Sequence, residues 1–254
     1  MLRDLELSEI PMLAGFAPEE WRVALDSVML DHFGRDYFVA RVAVEQGRIV
    51  AVGQGIATGG TGWAGNIIVH PEARRRGLGS RITQDLMDLL RARGCGWLLL
   101  VATELGEPVY SRLGFRRSSE YVFLRMPRMP LTEAADVRRL KAGDADAVFQ
   151  LDAYATGEAR GALLAPHLAA GYFLPTLGAG PVVAANAPAG LALLGFKHAL
   201  YPGNAVVPEG NLPALRFLLE RGAEETARAP RMTLGGEPPW RPECVFARGA
   251  GYCG

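Results

Sequence analysis

The chain has 254 residues, 49% hydrophobic and 21% charged, so it can bury a core as one large domain or two small ones. Its 27 basic and 27 acidic residues cancel, which argues against a partner bound mainly by phosphate neutralisation, such as bulk DNA or RNA. The three cysteines, Cys95, Cys244 and Cys253, are too few and too scattered for a disulfide framework or a zinc cluster. We therefore expect reduced thiols, no metal and no nucleic acid.

The longest uninterrupted apolar run, residues 97–102, is far shorter than the ~20 residues that a membrane span needs. Asp4, Glu6 and Glu9 lie where a secretory signal would need an apolar stretch. The sequence therefore predicts a cytoplasmic protein with no membrane partner.

Hydrophobic periodicity predicts a mixed αβ first half. Alternate apolar residues indicate a first strand with one buried face at Phe38, Ala40, Val42 and Val44. A tight turn at 46–47 leads to a second strand over 49–56, and a glycine-rich turn precedes a third over 63–69. After Pro71 the period becomes 3.6, which predicts an amphipathic helix ending at Gly94. A strand over 97–102, a short helix over 107–113 and a strand over 115–125 follow.

Residues 126–130 (Met-Pro-Arg-Met-Pro) interrupt the periodicity and predict a linker. We therefore predict two domains, 1–128 and 129–254. In the second, the patterns predict helices and short strands, with helices over 142–154, 158–168 and 212–221 and strands around 171–174, 181–185 and 204–207. Strand-like segments continue through residue 246.

The segment over residues 69–80 carries the clearest chemical pattern. Gly77 and Gly79 allow backbone conformations that a Cβ would block, so successive N–H groups can point into one concavity. The start of the following helix adds unpaired N–H groups and a positive dipole end. With the adjacent basic residues, these groups predict a phosphate or pyrophosphate site. An ordinary strand-to-helix turn with a solvated basic run is the alternative.

Two common nucleotide-binding motifs do not fit this segment. A Walker loop needs Gly-Lys-Ser or Gly-Lys-Thr, which the chain lacks. A dinucleotide-binding fingerprint needs a third glycine where this chain has Ile82.

The pattern Arg74-x-x-Gly77-x-Gly79, between a strand and a helix, resembles the acetyl-CoA signature of the GNAT superfamily of N-acetyltransferases. Downstream, Thr103-x-x-Gly106-x-x-x-Tyr110 and the Leu-Gly-Phe at 113–115 are similar to a later motif of that superfamily. The resemblance covers roughly residues 35–126. It implies a mixed, mostly antiparallel twisted sheet flanked by helices.

The resemblance also implies a V-shaped cleft that holds acetyl-CoA, where the strand before the loop diverges from its parallel neighbour. Pantetheine would pair with that strand at Ile67, Ile68 and Val69. The pyrophosphate would meet the loop and helix start, which contain Arg74, Arg75, Arg76, Gly77, Leu78, Gly79 and Ser80. Thr103, where many relatives have Asn, and Tyr110 would complete the cofactor site.

Tyr110 matches the tyrosine that commonly protonates the departing thiolate, and a phenol with a pKa near ~10 can donate to sulfur. Packing of a half-buried ring on the sheet is the alternative for Tyr110. The base that deprotonates the amine is less evident. Glu104, one residue beyond Thr103, is the candidate, with His70, Glu72 and water as alternatives.

The C-terminal half repeats part of this pattern. Asn211-x-x-Ala214-x-x-x-Leu218-x-x-x-Gly222 aligns with the segment from Thr103 at a constant offset of 108. The second half therefore resembles a degenerate GNAT-like module, with Leu218 in place of Tyr110. At the same offset, Val182, Ala185 and Ala187 stand where the first half has the arginine and the two glycines of the loop. We expect one acetyl-CoA per chain.

The fold class expected is α/β (α+β mixed), with two GNAT-like domains. The function expected is N-acetyl transfer from acetyl-CoA to a primary amine, by direct attack in a ternary complex. The acceptor would be a small molecule or a peptide, and the resemblance also allows a homodimer. The alternative is a non-catalytic acyl-CoA-binding module or sensor.

Overall fold

A computed structural model describes residues 1–21, 23–127, 129–130, 141–165 and 180–249. The chain forms two compact units, Met1–Arg116 with Thr233–Gly236 and Arg117–Met232 with Glu237–Gly254. The compact units separate at Arg116, ahead of the boundary expected after residue 128, and that domain boundary stays a prediction. The mixed α/β fold class is confirmed.

The sheet of the first unit contains five strands in chain order. These are β1 (Leu2–Asp4), β2 (Phe38–Glu45), β3 (Arg48–Thr58), β4 (Thr61–Val69) and β5 (Trp97–Val101). β1 to β4 pair antiparallel, whereas β4 and β5 are parallel. The predicted three-strand meander is therefore confirmed.

Positive backbone angles build the first hairpin turn. Gln46 and Gly47 have φ values of 49° and 76° between β2 and β3. A two-residue turn of type I′ needs positive φ at both central positions and matches the twist of the flanking strands. This turn explains why Gln46-Gly47 is a reliable hairpin signal.

Three helices accompany the sheet of the first unit: α1 (Leu25–His32), α2 (Leu78–Ala92) and α3 (Glu107–Arg112). The apolar face of α2 contains the buried Ile82, Leu86 and Leu90 and packs against β3. The helix ends just before Gly94, whose φ of 83° gives the predicted left-handed termination. β1, α1 and a 3-10 helix over Leu7–Leu13 have no counterpart among the sequence predictions.

The second unit contains its own strands and helices. In chain order they are β6 (Arg116–Arg125), α4 (Ala145–Thr156), α5 (Gly161–Leu164), β7 (Val182–Val183), α6 (Ala187–Leu200), β8 (Asn204–Pro208), α7 (Leu212–Leu219), β9 (Glu224–Leu234) and β10 (Val245–Ala247). β6 lies between β9 and β8 and pairs antiparallel with β8. β7 and β10 form a separate antiparallel pair.

The longest helix that was not predicted from the sequence is α6. Its sequence is apolar around most of its circumference, so it lacks the stripe that identifies an amphipathic helix. Gly190, which a helix ordinarily disfavours, is required because a Cβ there would collide with the ring of Phe246. A local signal was available: the Asn186 side chain caps the helix by accepting a hydrogen bond from the Ala189 N–H at 3.0 Å.

Other predictions for the second unit need adjustment. The helix expected over 158–168 is confined to α5 among the described residues, and residues 166–168 lie outside them. The strand expected around 171–174 also lies outside the described residues. No helix in the described ranges combines the length and the apolar character needed to cross a bilayer.

Candidate active site

The cleft expected from the sequence begins where β4 and β5 stop pairing. Their parallel register includes only Thr61 with Trp97, Gly62 with Leu98 and Trp63 with Leu99. β4 continues for six more residues, 64–69, without a partner on β5. Because the strands are parallel, the loops that follow them leave the sheet at the same edge. The expected divergence is therefore observed.

A β-bulge alters β4 within this unpaired section. The register with β3 pairs Val52 with Ile68 and Gln54 with Gly65, so Gly53 faces two residues, Asn66 and Ile67. Asn66 has a φ of 48°, in the left-handed region that Asn tolerates better than most residues. An extra residue of this kind bends the strand and increases its twist. This bulge, which was not predicted from the sequence, re-orients the segment containing Ile67, Ile68 and Val69.

Two of the three consecutive arginines have partners within the first unit. The Arg74 Nε–H donates to the Val69 carbonyl at 3.1 Å, which ties the loop to the end of β4. Arg76 donates to a Glu45 carboxylate oxygen at 2.9 Å and to the Glu72 carbonyl. Arg75 is exposed and has a φ of 63°. Arg74 and Arg76 thus hold the loop, and Arg75 projects from it at the surface.

The start of α2 presents backbone donors. Gly77 has a φ of 77°, and its carbonyl accepts the helical hydrogen bond from the Arg81 N–H at 3.0 Å. The N–H groups of Leu78, Gly79 and Ser80 belong to the first turn, where a helix offers no partner of its own. No acidic residue lies in this turn to occupy them. The helix end can therefore bind an anion.

The two loop glycines differ in what they require. Gly77 needs its left-handed conformation, as expected. For Gly79 the expectation is wrong, because this residue is already helical and an added Cβ would lie 3.8 Å from Val69 Cγ2, an ordinary contact. A side chain at Gly79 would instead fill open space beside the first-turn N–H groups.

Thr103 orders the turn that joins β5 to α3. Its hydroxyl oxygen accepts a hydrogen bond from the Gly106 N–H at 3.1 Å, and its carbonyl accepts from Gly106 and Glu107, each at 2.9 Å. Within the described part of the chain, this side chain thus has a structural partner. Glu104 lies exposed in the same turn.

Tyr110 is buried against the turn that precedes it. Its side chain is 9% exposed, and its ring meets that of Phe115 edge-on with centroids 6.2 Å apart. A Cβ at Gly106 would lie 2.7 Å from Tyr110 Cε2, so the glycine permits this close packing. Burial raises the pKa of Tyr110 to about 12. The phenol is more deeply buried than the half-buried ring considered from the sequence, and a weaker acid than expected.

The alternative bases lie at or near the surface. The His70 Nδ1 is 3.8 Å from a Glu72 carboxylate oxygen, beyond hydrogen-bonding distance, and the Glu72 side chain is 79% exposed. Glu104 is exposed as well. The described residues include no group of three or more His, Cys, Asp or Glu side chains placed to hold a metal.

Comparisons with known proteins find relatives of this part of the chain. Residues 34–117, about a third of the chain, match the model of the acetyltransferase (GNAT) domain. A segment of 51 residues is 37% identical to glucosamine 6-phosphate N-acetyltransferase of Trypanosoma brucei brucei. That segment covers 20% of this chain and 35% of the curated relative, about a third of its length.

Solved structures extend the likeness to the whole chain. A crystal structure of a candidate acetyltransferase from Pyrococcus horikoshii has a TM-score of 0.86 and 19% identity, covering 100% of this chain and 95% of that one. This likeness shows a common fold. A phosphinothricin acetyltransferase of Sinorhizobium meliloti, solved with acetyl-CoA, has a TM-score of 0.42 and 17% identity, over 48% of this chain and 77% of that one.

Proposed function

We propose, on the premise that residues 34–117 are a GNAT acetyltransferase domain, that this chain transfers an acetyl group from acetyl-CoA to a primary amine. The acceptor is a small molecule or a peptide, and both substrates are bound together. The divergence of β4 and β5 beyond Trp63 carries the proposal, since a free helix N-terminus and a buried tyrosine follow these strands at the same edge. A cytoplasmic location and a homodimer are further proposals.

The residues around the cleft fit acetyl-CoA. The first turn of α2 has no acidic residue, and at Gly79 there is room that a Cβ would fill. The N–H groups of 78–80 would hold the diphosphate, with Arg75 near it at the surface. The unpaired section of β4, which includes Ile67–Val69, offers backbone groups to the pantetheine amides. When bound, acetyl-CoA supplies the thioester that is attacked.

Tyr110 is the proposed acid, and the movement of protons in the reaction shows what this residue must do. Attack forms the C–N bond and breaks the C–S bond, while the amine nitrogen loses one proton and the sulfur gains one. Tyr110 donates its phenolic proton to the sulfur, and an N–H of the unpaired β4 section stabilises the charge on the carbonyl oxygen. Because the pKa of Tyr110 is about 12, the resulting phenolate is a strong base. It recovers the proton released by the amine, directly or through Glu104 or water.

A screen of primary amines tests the proposed reaction. The protein is incubated with acetyl-CoA and a broad panel of amines and amino-terminal peptides, and release of the free thiol is measured. We expect amine-dependent thiol release and an N-acetylated product of the expected mass. The exposure of Glu104 and Glu72 favours the second candidate function, a non-catalytic acyl-CoA-binding module. Coenzyme binding without turnover of any amine would establish that second function.

We further propose that the second half is a degenerate GNAT-like repeat. Its elements follow those of the first half at a nearly constant distance. α6 begins 109 residues after α2, β8 begins 107 after β5, and β9 begins 108 after β6. The start of α6 differs from that of α2, because the Asn186 side chain accepts the Ala189 N–H and Pro188 has no N–H to offer. These differences favour a single anion site, in the first half.

The number of coenzyme molecules per chain tests this asymmetry. Isothermal titration of the full chain with coenzyme A should give a stoichiometry of one. The Gly79→Ala variant serves as the control, since it should bind coenzyme A at least tenfold more weakly. A stoichiometry of two, or binding unaffected by that substitution, would contradict the proposal.

A further inference from the structure

Gln54 is a fully buried amide without a hydrogen-bond partner among the residues that the structure describes. It lies in the middle of β3, paired on one side with Ala40 and on the other with Gly65. Its side chain is 0% exposed, and neither Oε1 nor Nε2 has a hydrogen-bond partner in the described part of the chain. Buried side-chain polar atoms nearly always have a partner, because leaving one unsatisfied is costly. Gln54 therefore points to a function other than packing.

The packing of α2 shows which face of the sheet Gln54 occupies. Cβ atoms added at Gly53 and Gly55 would lie 2.6 Å from Ile82 and 3.2 Å from Leu90, so these positions face α2. Side chains alternate along a strand, and Gln54 therefore lies on the opposite face. There its cross-strand neighbours are small, because Ala40 has only a methyl group and Gly65 has no side chain.

The same position borders the unpaired section of β4. Gly65 is directly opposite Gln54 and lies two residues beyond Trp63, where pairing with β5 ends. If the diphosphate binds at the start of α2, beyond Val69, the pantetheine arm runs back along β4 toward Gly65. The Gln54 amide then lies close to the reacting thioester.

We propose that Gln54 binds the acceptor substrate beside its reacting amine. This assignment rests on the proposed function and deepens it by naming a substrate class. Along β3 the nearest residues on this face, Val52 and Ile56, are apolar, and no charged residue is among the strand neighbours of Gln54. A buried charge without a countercharge would be strongly disfavoured here. The group that Gln54 binds is therefore uncharged and both donates and accepts, as a hydroxyl or a carboxamide does.

Pairs of amines that differ only in a hydroxyl or a carboxamide group test the assignment. Serinamide is compared with alaninamide, and glycinamide with methylamine, together with the best acceptors of the amine panel and their analogues lacking a hydroxyl or carboxamide. We expect the natural chain to prefer the polar member, by kcat/KM, by about three- to tenfold per hydrogen bond. In Gln54→Met, which has a similar volume and no hydrogen-bonding amide, that preference falls to within about twofold. The affinity for coenzyme A should not change.

A second variant, Thr58→Val, tests whether a loss of the preference for polar amines comes from substrate binding or from a change in the buried core. Thr58 lies on the same strand and face, and its buried hydroxyl likewise has no partner in the described part of the chain. Its strand partner is Thr61, at the far end from the bulge. Thr58→Val should retain the preference, and both variants should keep or raise the melting temperature.

Three outcomes distinguish the hypotheses. A preference that survives in Gln54→Met, or that the natural chain never shows, overturns the assignment while leaving the acetyltransferase intact. A preference lost equally in Thr58→Val assigns the effect to the core and also overturns it. Coenzyme binding without turnover of any amine overturns the proposed function and this assignment together.

Discussion

Tyr110→Phe should lower kcat by about two orders of magnitude or more while leaving the affinity for coenzyme A nearly unchanged. General acid catalysis typically contributes about 10²- to 10⁴-fold, and removing the hydroxyl removes the proton donor to the departing sulfur. The ring itself should remain in place, because the Cε2 and Cζ atoms beside Gly106 and the ring that meets Phe115 are all retained in Phe. Steady-state thiol release gives kcat, and calorimetric titration gives the affinity.

Tyr121→Phe is the matched control for this experiment. Tyr121 is also fully buried with a raised pKa, and it belongs to the second unit rather than to the unit that contains Tyr110. Its substitution should leave kcat within about twofold. Unchanged turnover in Tyr110→Phe would remove Tyr110 from the mechanism and leave it as a packing residue.

The raised pKa of Tyr110 also predicts a dependence on pH. The phenol stays protonated up to about pH 12, so its ionisation cannot cause a loss of activity at lower pH. Its ordinary pKa of 10.0 applies in the unfolded chain, so stability falls between about pH 10 and pH 12 as the unfolded state loses a proton first. Urea unfolding across this range should show a smaller decrease for Tyr110→Phe than for the natural chain. Equal decreases would indicate that Tyr110 is not buried in solution.

Gly79→Ala should fold normally and bind coenzyme A at least tenfold more weakly. Within the protein the new methyl group meets only Val69 Cγ2, at 3.8 Å, and alanine favours a helix over glycine by about 1 kcal/mol. The free energy of unfolding should therefore be kept or increased. The methyl group would occupy the space beside the first-turn N–H groups, where the diphosphate is proposed to bind. Urea unfolding and calorimetric titration measure the two quantities separately.

Two further variants serve as comparisons for Gly79→Ala. Gln84→Ala places the same residue type at an exposed position farther along α2 and should leave the affinity unchanged. Gly77→Ala should lose stability by roughly 1–2 kcal/mol, because its φ of 77° disfavours any residue with a Cβ. If Gly79→Ala binds coenzyme A as tightly as the natural chain, the proposed diphosphate site is wrong.

Local patterns predicted most of the first unit. The Gln46-Gly47 turn, the apolar face of α2 and the termination at Gly94 each depend on a few adjacent residues, so they can be read from short windows of sequence. The loop from Arg74 to Ser80 can also be predicted from a short window, since a strand, a glycine with positive φ and a helix start specify it. By contrast, α6 was missed because its burial on many sides removes the periodicity on which helix prediction depends.

The sequence by itself determined the strand–loop–helix segment in which an anion site is proposed and the tyrosine proposed as the acid, because each depends on a short motif of fixed spacing. Only the tertiary structure decided how deeply Tyr110 is buried, where β4 leaves β5, and that Gln54 has no partner within the described ranges. These properties arise when strands distant in sequence are placed side by side. Burial and hydrogen-bond satisfaction depend on the neighbours that folding supplies, and no window of sequence contains those neighbours.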